Sequence, residues 1–313
     1  MPSLSHPAHV TPAPTPRRDF AGLWVPIATP FTGDVVDHAA LRALVQRLRG
    51  TGIAGFVACG STGEAAALDL HEQDAVLDTV MEAAAGLPVV MGLSGHHLGH
   101  ALERVRHLAS RPLAGWLVSA PHYIRPSQAG LRLWFEAIAD ASACPVIVYD
   151  IPYRTGATLE LATLRALAAH QRIQAVKDCG GDAAKTQALI ADGTLQVLAG
   201  EDGNIFSTLA LGGVGAIAAS AHWQPERLVE CMLAIGQGDL MRAQRLWQAL
   251  APMMAALFAE PNPAPLKALL AQQGWMEATL RAPMTQASPA LAQRLRELTS
   301  SHKSELAPAL NRP

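Results

Sequence analysis

Residues 145–177 read PVIVYDIPYRTGATLELATLRALAAHQRIQAVK, and this stretch decides the fold. Two short apolar runs with β-branched residues, Pro145–Tyr149 and Gln174–Lys177, enclose a segment in which leucines recur every three residues from Leu161 to Leu167. A buried strand, an amphipathic helix and a second buried strand are typical of two parallel strands joined by a right-handed crossover. The stretch therefore predicts one β/α/β unit.

The same alternation extends in both directions along the chain. Strand-length apolar runs repeat about every 20 to 30 residues, and helical segments fill the intervals, with Asp37 and Ser127 as predicted N-caps. Eight such units predict a closed (β/α)8 TIM barrel of the α/β class. An open doubly wound sheet is the alternative, but no GxGxxG turn follows the first run. The predicted strands are Leu23–Ala28, Gly55–Cys59, Pro88–Gly92, Gly115–Ser119, Pro145–Tyr149, Gln174–Lys177, Leu195–Ala199 and Val214–Ala218.

Three regions follow from this pattern. Residues 1–19 are predicted to be a disordered N-terminal arm, because five prolines and almost no large apolar side chains lie in the first 16 residues. Residues 20–224 are predicted to form the barrel. After Ala218 the alternation stops, and residues 225–313 are predicted to form a C-terminal helical region, helical throughout to about residue 300 except at the proline-rich stretch Glu260–Pro265.

Composition excludes several classes of protein. The 313 residues are 50% hydrophobic and carry a formal net charge of −2 without a basic stripe, so we expect no nucleic-acid partner. No apolar run reaches the roughly 18 residues of a membrane span, and the first residues lack the apolar core of a signal peptide. The four cysteines match no zinc or disulfide spacing, which predicts a cytoplasmic protein with free thiols and no metal. The high apolar fraction favours a homo-oligomer.

Lys177 is the first candidate for chemistry. It ends the sixth predicted strand, at the C-terminal side of the barrel where active sites lie. Burial lowers the pKa of a lysine, and the neutral amine can then attack a carbonyl carbon. The alternative is a structural lysine that pairs with a carboxylate such as Asp178.

A glycine-bracketed loop, Gly60–Glu64, directly follows the second strand. Such a turn can direct successive backbone N–H groups toward one carboxylate, with the hydroxyls of Ser61 and Thr62 as further donors. The alternative is an ordinary turn in which one of these hydroxyls caps the next helix.

All three tyrosines and an arginine lie near other strand ends. Tyr149 ends the fifth strand, where a phenol can transfer a proton, and Arg154 follows with a planar guanidinium suited to a carboxylate. The alternative is a packed tyrosine and a surface arginine. Tyr123 follows the fourth strand, and its alternative role is that of an interface aromatic. His122 has no second ligand at metal-binding spacing.

Seven motifs in order resemble the dihydrodipicolinate synthase / N-acetylneuraminate lyase superfamily over roughly residues 20 to 295. They are GSTGE after strand two, PHYIRPSQ after strand four, YDIPYRTG after strand five, VKDCGG at strand six, LAGEDG after strand seven, GVGAIAAS at strand eight and EPNPAPLK in the tail. The resemblance implies a TIM-barrel class I lyase of the aldolase type that uses pyruvate and no metal or organic cofactor. It also implies a homotetramer built as a dimer of dimers.

The resemblance assigns a role to each candidate residue. Lys177 matches the Schiff-base lysine and Tyr149 the proton-transferring tyrosine beside it. Ser61 and Thr62 match the pair that holds the pyruvate carboxylate, and Ser61 also belongs to a proton relay. Tyr123 matches a tyrosine that completes this relay from a neighbouring subunit. Gly200 and Ile217 match positions that line the pyruvate pocket, and Arg154 matches the arginine that binds the second substrate.

Arg154 favours the synthase branch, in which pyruvate condenses with L-aspartate 4-semialdehyde during lysine biosynthesis. Cleavage or dehydration of a sugar acid or hydroxy-oxo acid is the alternative, and a catalytically silent binding protein is a third possibility. The chain departs from the usual synthase pattern at several positions. They are Ser61 for threonine, His122 for tyrosine, Asp150 for asparagine, and Asp178–Gly181 for a run that contains glutamate.

Overall fold

The computed structural model describes residues 17–306, so most of the predicted arm, residues 1–16, lies outside the described residues. Eight parallel strands close into a barrel in which neighbouring strands follow one another along the chain, so the predicted (β/α)8 barrel is confirmed. The strands are β1 Gly22–Pro26, β2 Gly55–Ala58, β3 Val89–Leu93, β4 Gly115–Ser119, β5 Val146–Asp150, β6 Ile173–Asp178, β7 Gln196–Ala199 and β8 Gly215–Ile217.

Helices surround the barrel and continue beyond it. A small hairpin, Phe31–Thr32 and Val35–Val36, follows β1, and a one-turn helix, Pro152–Thr155, follows β5. The longer helices are α1 His38–Leu48, α2 Leu70–Ala84, α3 Leu98–His107, α4 Gln128–Ala141, α5 Leu161–Leu167, α6 Ala183–Asp192, α7 Ile205–Ala210, α8 Pro225–Gly236, α9 Leu240–Leu257, α10 Ala264–Gln272 and α11 Pro289–Leu306.

The barrel interior is a packed core to which every strand contributes at least one inward side chain. Because successive residues of a strand face opposite sides, the residues between these inward positions pack beneath the helices. Two positions further along β5 and β6 the inward side chains are Tyr149 and Lys177, at the C-terminal mouth. The inward core side chains, one from each strand, include Trp24, Val57, Val90, Leu117, Ile147, Ala175, Leu198 and Ile217.

The predicted N-caps are both present. The carboxylate of Asp37 accepts from the N–H of Ala40, and the hydroxyl of Ser127 accepts from the N–H of Gly130. These bonds satisfy N–H groups that have no partner inside the helix.

The C-terminal region differs from the expectation of helix to about residue 300. Helix α10 ends at Gln272, and residues 273–288 carry no regular helix before α11. Gly274 adopts a left-handed φ of 77°, which glycine reaches without steric cost and which ends the helix. Helix α8 packs against α7 and β1, and the division at residue 224 stays a prediction. Among the described residues, no helix combines the length and hydropathy that a membrane crossing needs.

Candidate functional site

Lys177 lies in the wall of a cavity of about 440 Å³ at the C-terminal mouth of the barrel. Only 6% of the residue is exposed, and its Nζ lies 4.2 Å from the ring centroid of Tyr149. Burial lowers the pKa of the ammonium, although the thiol of Cys179 and the nearby carboxylates of Asp202 and Glu201 act in the opposite direction. A lowered pKa increases the fraction of neutral, nucleophilic amine.

The alternative ion pair between Lys177 and Asp178 is not formed. Lys177 points into the barrel, and Asp178, the next residue of the strand, faces the opposite side. Its carboxylate accepts from the N–H of Gly180 at 2.8 Å and from the hydroxyl of Thr186. The lysine ion pairs seen within residues 17–306 belong to Lys185 and Lys267. The Lys177 amine is therefore available to a molecule in the cavity.

The Gly60–Glu64 loop forms a compact turn on the opposite wall of the cavity. The N–H groups of Gly63 and Glu64 bond back to the carbonyls of Gly60 and Ser61 at 3.1 and 3.2 Å. The N–H groups of Ser61 and Thr62 have no acceptor within residues 17–306 and remain available to an anion. The alternative role of capping the next helix falls instead to Asp69, whose carboxylate accepts from the N–H of Glu72.

Tyr149 connects this loop to Lys177. The phenol is buried, and burial raises its pKa well above 10, with a smaller opposing contribution from a hydrogen bond with Ser61. The phenol therefore stays protonated near neutral pH and can donate a proton. The backbone register pairs Tyr149 directly with Lys177 across β5 and β6, so the two side chains share one level of the barrel.

Gly200 and Ile217 complete the inner wall. Gly200 approaches Lys177 so closely that a Cβ atom there would lie 2.9 Å from the Lys177 Cγ and 2.4 Å from the Cys179 Sγ. Glycine is therefore required for steric reasons. Ile217 ends β8 and is almost fully buried.

Arg154 lies at the outer edge of the same cavity, in the one-turn helix after β5. Its guanidinium carbon lies 5.9 Å from the ring centroid of Tyr153, and the Tyr153 hydroxyl donates to the Glu201 Oε1 at 2.9 Å. Tyr153 and Glu201 thus link the loops after β5 and β7 across the cavity. Sequence reasoning did not select either residue, although both stand inside motifs that were recognised.

Tyr123 is the one candidate that the structure places elsewhere. It is 88% exposed and lines a separate surface hollow beside Arg125 and Arg154. Its backbone has a φ of 73°, which is rare for a bulky residue, and its N–H bonds to the carbonyl of Thr155 at 3.3 Å. The adjacent His122 faces His96, with 3.3 Å between their ring nitrogens. Within its own chain, Tyr123 does not reach the cavity of Lys177.

Asn262 is a cavity residue that the sequence analysis missed. Its side-chain amide donates to the hydroxyl of Thr62 at 3.1 Å and so connects the C-terminal region to the glycine-bracketed loop. Its signals in the sequence were its place in the EPNPAPLK motif and in the proline-rich stretch, which was interpreted as a helix break. A second cavity, of about 390 Å³, adjoins the first and shares Ser61, Tyr149 and Arg154 with it.

The unusual Asp150 is compensated locally. Its carboxylate binds the ammonium of Lys185, which also donates to the carbonyl of Leu159 at 3.1 Å. Burial raises the pKa of Asp150, and Lys185 opposes that rise. A Cβ at Gly180 would lie 2.7 Å from the Asp150 carboxylate and 2.8 Å from the Lys185 ammonium. The departures at positions 150 and 180 therefore belong to one buried cluster outside the cavity.

The fold and the site define a (β/α)8-barrel enzyme with a buried amine at its mouth, suited to Schiff-base chemistry with a small oxo acid. The chain belongs to the Dihydrodipicolinate synthetase family, whose model matches residues 19–302.

Relatives and solved structures agree with this assignment. A Haloarcula marismortui protein named 4-hydroxy-tetrahydrodipicolinate synthase is 36% identical over 92% of this chain and 95% of its own length. The crystal structure of dihydrodipicolinate synthase from Aquifex aeolicus matches with a TM-score of 0.88 and 30% identity, over 91% of this chain and 98% of that one. The chloride-inhibited dihydrodipicolinate synthase of Acinetobacter baumannii, complexed with pyruvate, matches with the same TM-score and identity, over 91% and 99%.

Proposed function

We propose that this protein is a class I lyase that forms a Schiff base between Lys177 and pyruvate and condenses it with L-aspartate 4-semialdehyde to give 4-hydroxy-tetrahydrodipicolinate. The observation that carries the proposal is the buried Lys177 amine, which lines the cavity without an ion pair among residues 17–306. The relatives named as synthases, and the Acinetobacter baumannii enzyme with its bound pyruvate, support the choice of substrates.

The first half of the reaction builds a nucleophile on Lys177. The neutral Nζ attacks C2 of pyruvate, a carbon–nitrogen bond forms, and the carbonyl oxygen leaves as water after protonation. The resulting iminium withdraws electrons, so the methyl carbon loses a proton and becomes an enamine. Tyr149 is placed to move these protons, because its phenol is buried beside Nζ and stays protonated.

The carboxylate of pyruvate is proposed to bind the turn at Ser61 and Thr62. Two N–H groups and two hydroxyls lie on the cavity wall there, and the N–H groups have no other acceptor within residues 17–306. Binding by this turn orients the methyl carbon toward the open side of the cavity. Such orientation contributes several kcal/mol to lowering the barrier of reactions between two substrates, on the order of 7 or more in the best cases.

The second substrate enters from the side of Arg154. The enamine carbon attacks the aldehyde carbon, a carbon–carbon bond forms, and the aldehyde oxygen is protonated to a hydroxyl. The amino group of the bound semialdehyde then replaces Lys177 at C2, which closes the ring and frees the lysine. The guanidinium of Arg154, exposed at the cavity edge, is suited to the carboxylate of the semialdehyde.

Tyr123 is proposed to act in a homo-oligomer, as the resemblance implies, with the tetramer built as a dimer of dimers. Its ring is exposed and held in a strained backbone conformation, and it lines the hollow that also contains Arg154. In a dimer that joins two such hollows, the phenol would reach the Ser61–Tyr149 pair of the other subunit and extend the proton relay. The four free cysteines support a location in the reducing cytoplasm.

Borohydride reduction in the presence of pyruvate tests the proposal. Reduction of the iminium should add the mass of the reduced pyruvate adduct to the peptide that contains Lys177. A Lys177→Arg variant should show no adduct, because its guanidinium cannot form the iminium. A coupled assay with pyruvate and L-aspartate 4-semialdehyde, beside a panel of sugar acids, identifies the second substrate. An unlabelled Lys177 in the wild type would refute the mechanism.

A further inference from the structure

The glycine-bracketed loop ends at a buried carboxylate that the proposed reaction does not use. Glu64 is 6% exposed and adopts a left-handed φ of 52°, an unfavourable conformation for a residue with a side chain. Its N–H closes the turn on the carbonyl of Ser61 at 3.2 Å. The position of Glu64 therefore determines the shape of the turn that carries the N–H groups of Ser61 and Thr62.

The carboxylate of Glu64 binds the ammonium of Lys267, a residue of α10. Lys267 is fully buried, with 0% exposure, and its Nζ also donates to the carbonyl of Thr279 at 2.8 Å. The same Nζ lies 4.1 Å from the ring centroid of Phe31. This ammonium has a carboxylate, a carbonyl and an aromatic face around it, which are the partners that a buried cation needs.

Further contacts bring the C-terminal region onto the same loop. The N–H of Arg281 donates to the second oxygen of Glu64 at 3.3 Å, and its guanidinium donates to the carbonyl of Ala67 at 2.8 Å. Asn262 donates to the hydroxyl of Thr62. Segments from both sides of Lys267 in the sequence thus converge on the loop, with the Lys267 ion pair between them.

Stability alone does not account for an ion pair at this place. A buried pair costs desolvation energy, and well-packed apolar side chains of similar volume often stabilise a fold equally well or better. An ion pair differs from an apolar contact in fixing the direction and position of its charged atoms. Here the atoms that are fixed belong to the residue that closes the turn.

We propose that Lys267 is a positioning residue for the 2-oxo acid, because its contact with Glu64 holds the turn in the conformation that presents the Ser61 and Thr62 N–H groups to the carboxylate. This inference rests on the proposed function of that turn. It predicts that loss of Lys267 weakens pyruvate binding more than it slows the chemistry of bound pyruvate.

The experiment compares Lys267→Met with the wild type. We expect the KM for pyruvate to rise about 10- to 100-fold, as for a substrate group held in a displaced site, and kcat to fall less than about threefold. At saturating pyruvate, borohydride should still label Lys177. An unchanged KM for pyruvate would overturn the inference. Glu64→Gln, which keeps the shape of the side chain, provides the same measurement if the methionine variant does not fold.

Two controls separate positioning from a general loss of stability. Leu269→Ala opens a cavity in the same helix, which costs about 2–5 kcal/mol, and should leave the KM for pyruvate unchanged. The double variant Lys267→Met/Glu64→Leu removes both charges and should recover melting temperature while its KM stays high. A KM that returns to the wild-type value in the double variant, or rises equally in Leu269→Ala, would overturn the inference.

The inference and the proposed function fail in different measurements. Absence of a borohydride adduct in the wild type would refute Schiff-base formation. In the Lys177→Arg background, which cannot form the iminium, the pyruvate-dependent rise in melting temperature reports carboxylate binding without any covalent step. Lys177→Arg should show that rise, and Lys177→Arg/Lys267→Met should need about 10- to 100-fold more pyruvate for it. Equal pyruvate dependence in both proteins would overturn the role of Lys267, whatever the trapping result.

Discussion

Replacement of Gly200 by alanine should disable Schiff-base formation by displacing Lys177. The added Cβ would lie 2.4 Å from the Cys179 Sγ and 2.9 Å from the Lys177 Cγ, whereas ordinary contacts begin at 3.4 Å. The backbone carbonyl of Asp178, also at 2.9 Å, limits movement of the new methyl group in another direction. Lys177 or Cys179 must therefore shift by about 0.5 to 1 Å. A displacement of about 1 Å at a reacting group costs on the order of 100-fold in rate.

The assay is the rate at which borohydride traps pyruvate on Lys177. We expect Gly200→Ala to trap about 100-fold more slowly and to lose about 1–3 kcal/mol of stability from overpacking. Adding Cys179→Ala removes the nearest clash and should restore part of the rate. Gly203→Ala is the matched control, because a Cβ at Gly203 meets no atom within 4 Å. Trapping by Gly200→Ala at the wild-type rate would refute the steric argument.

Three further predictions concern substrate choice and pH. Arg154→Ala should raise the KM for the aldehyde about 10- to 100-fold, whereas the KM for pyruvate should change less than about twofold. Equal changes in both KM values would contradict the proposal that Arg154 binds the carboxylate of the second substrate. Because burial lowers the pKa of Lys177, the trapping rate should rise with pH and level off below pH 10.5, and a rate that still increases beyond that pH would exclude a lowered pKa. Burial also lowers the pKa of His222 from 6.5 to about 4. Between these two pH values the folded state binds fewer protons than the unfolded state, so the free energy of unfolding should fall by about 3 kcal/mol as pH drops from 6.5 to 4. Chemical denaturation across that pH range should show that His222→Gln loses less free energy of unfolding than the wild type. An equal loss in both proteins would assign the acid sensitivity to other groups.

The strands were predictable because burial on both faces leaves a continuous apolar run bounded by Gly or Pro. All eight predicted runs overlap the observed strands, and Gly115–Ser119 agrees at both ends. The segment 273–288 was not predictable in the same way. Its course depends on partners far away in the sequence, such as Lys267, which binds the carbonyl of Thr279, and Glu64, which accepts from Arg281.

The same division applies to the candidate site. The position of Lys177 at the end of an apolar run was enough to predict a buried amine at the barrel mouth, because parallel strands of a barrel end at one face. The sequence did not show whether Lys177 pairs with Asp178. In the structure, the Asp178 carboxylate instead accepts a hydrogen bond from Thr186 in the next helix. Glu201 and Tyr153 became recognisable only when the loops after β7 and β5 were seen to meet.

By itself, the sequence determined the barrel, the order of its strands and the strand ends that carry Lys177, Tyr149 and the Ser61–Thr62 turn. These features follow from local hydrophobic periodicity, which can be recognised in each stretch of sequence independently of the segments that pack against it. The tertiary structure alone decided that Tyr123 stays outside its own cavity and that Lys267 and Asn262 reach a loop about 200 residues earlier. Contacts of this kind depend on how distant segments pack, and no local pattern in the sequence records that packing.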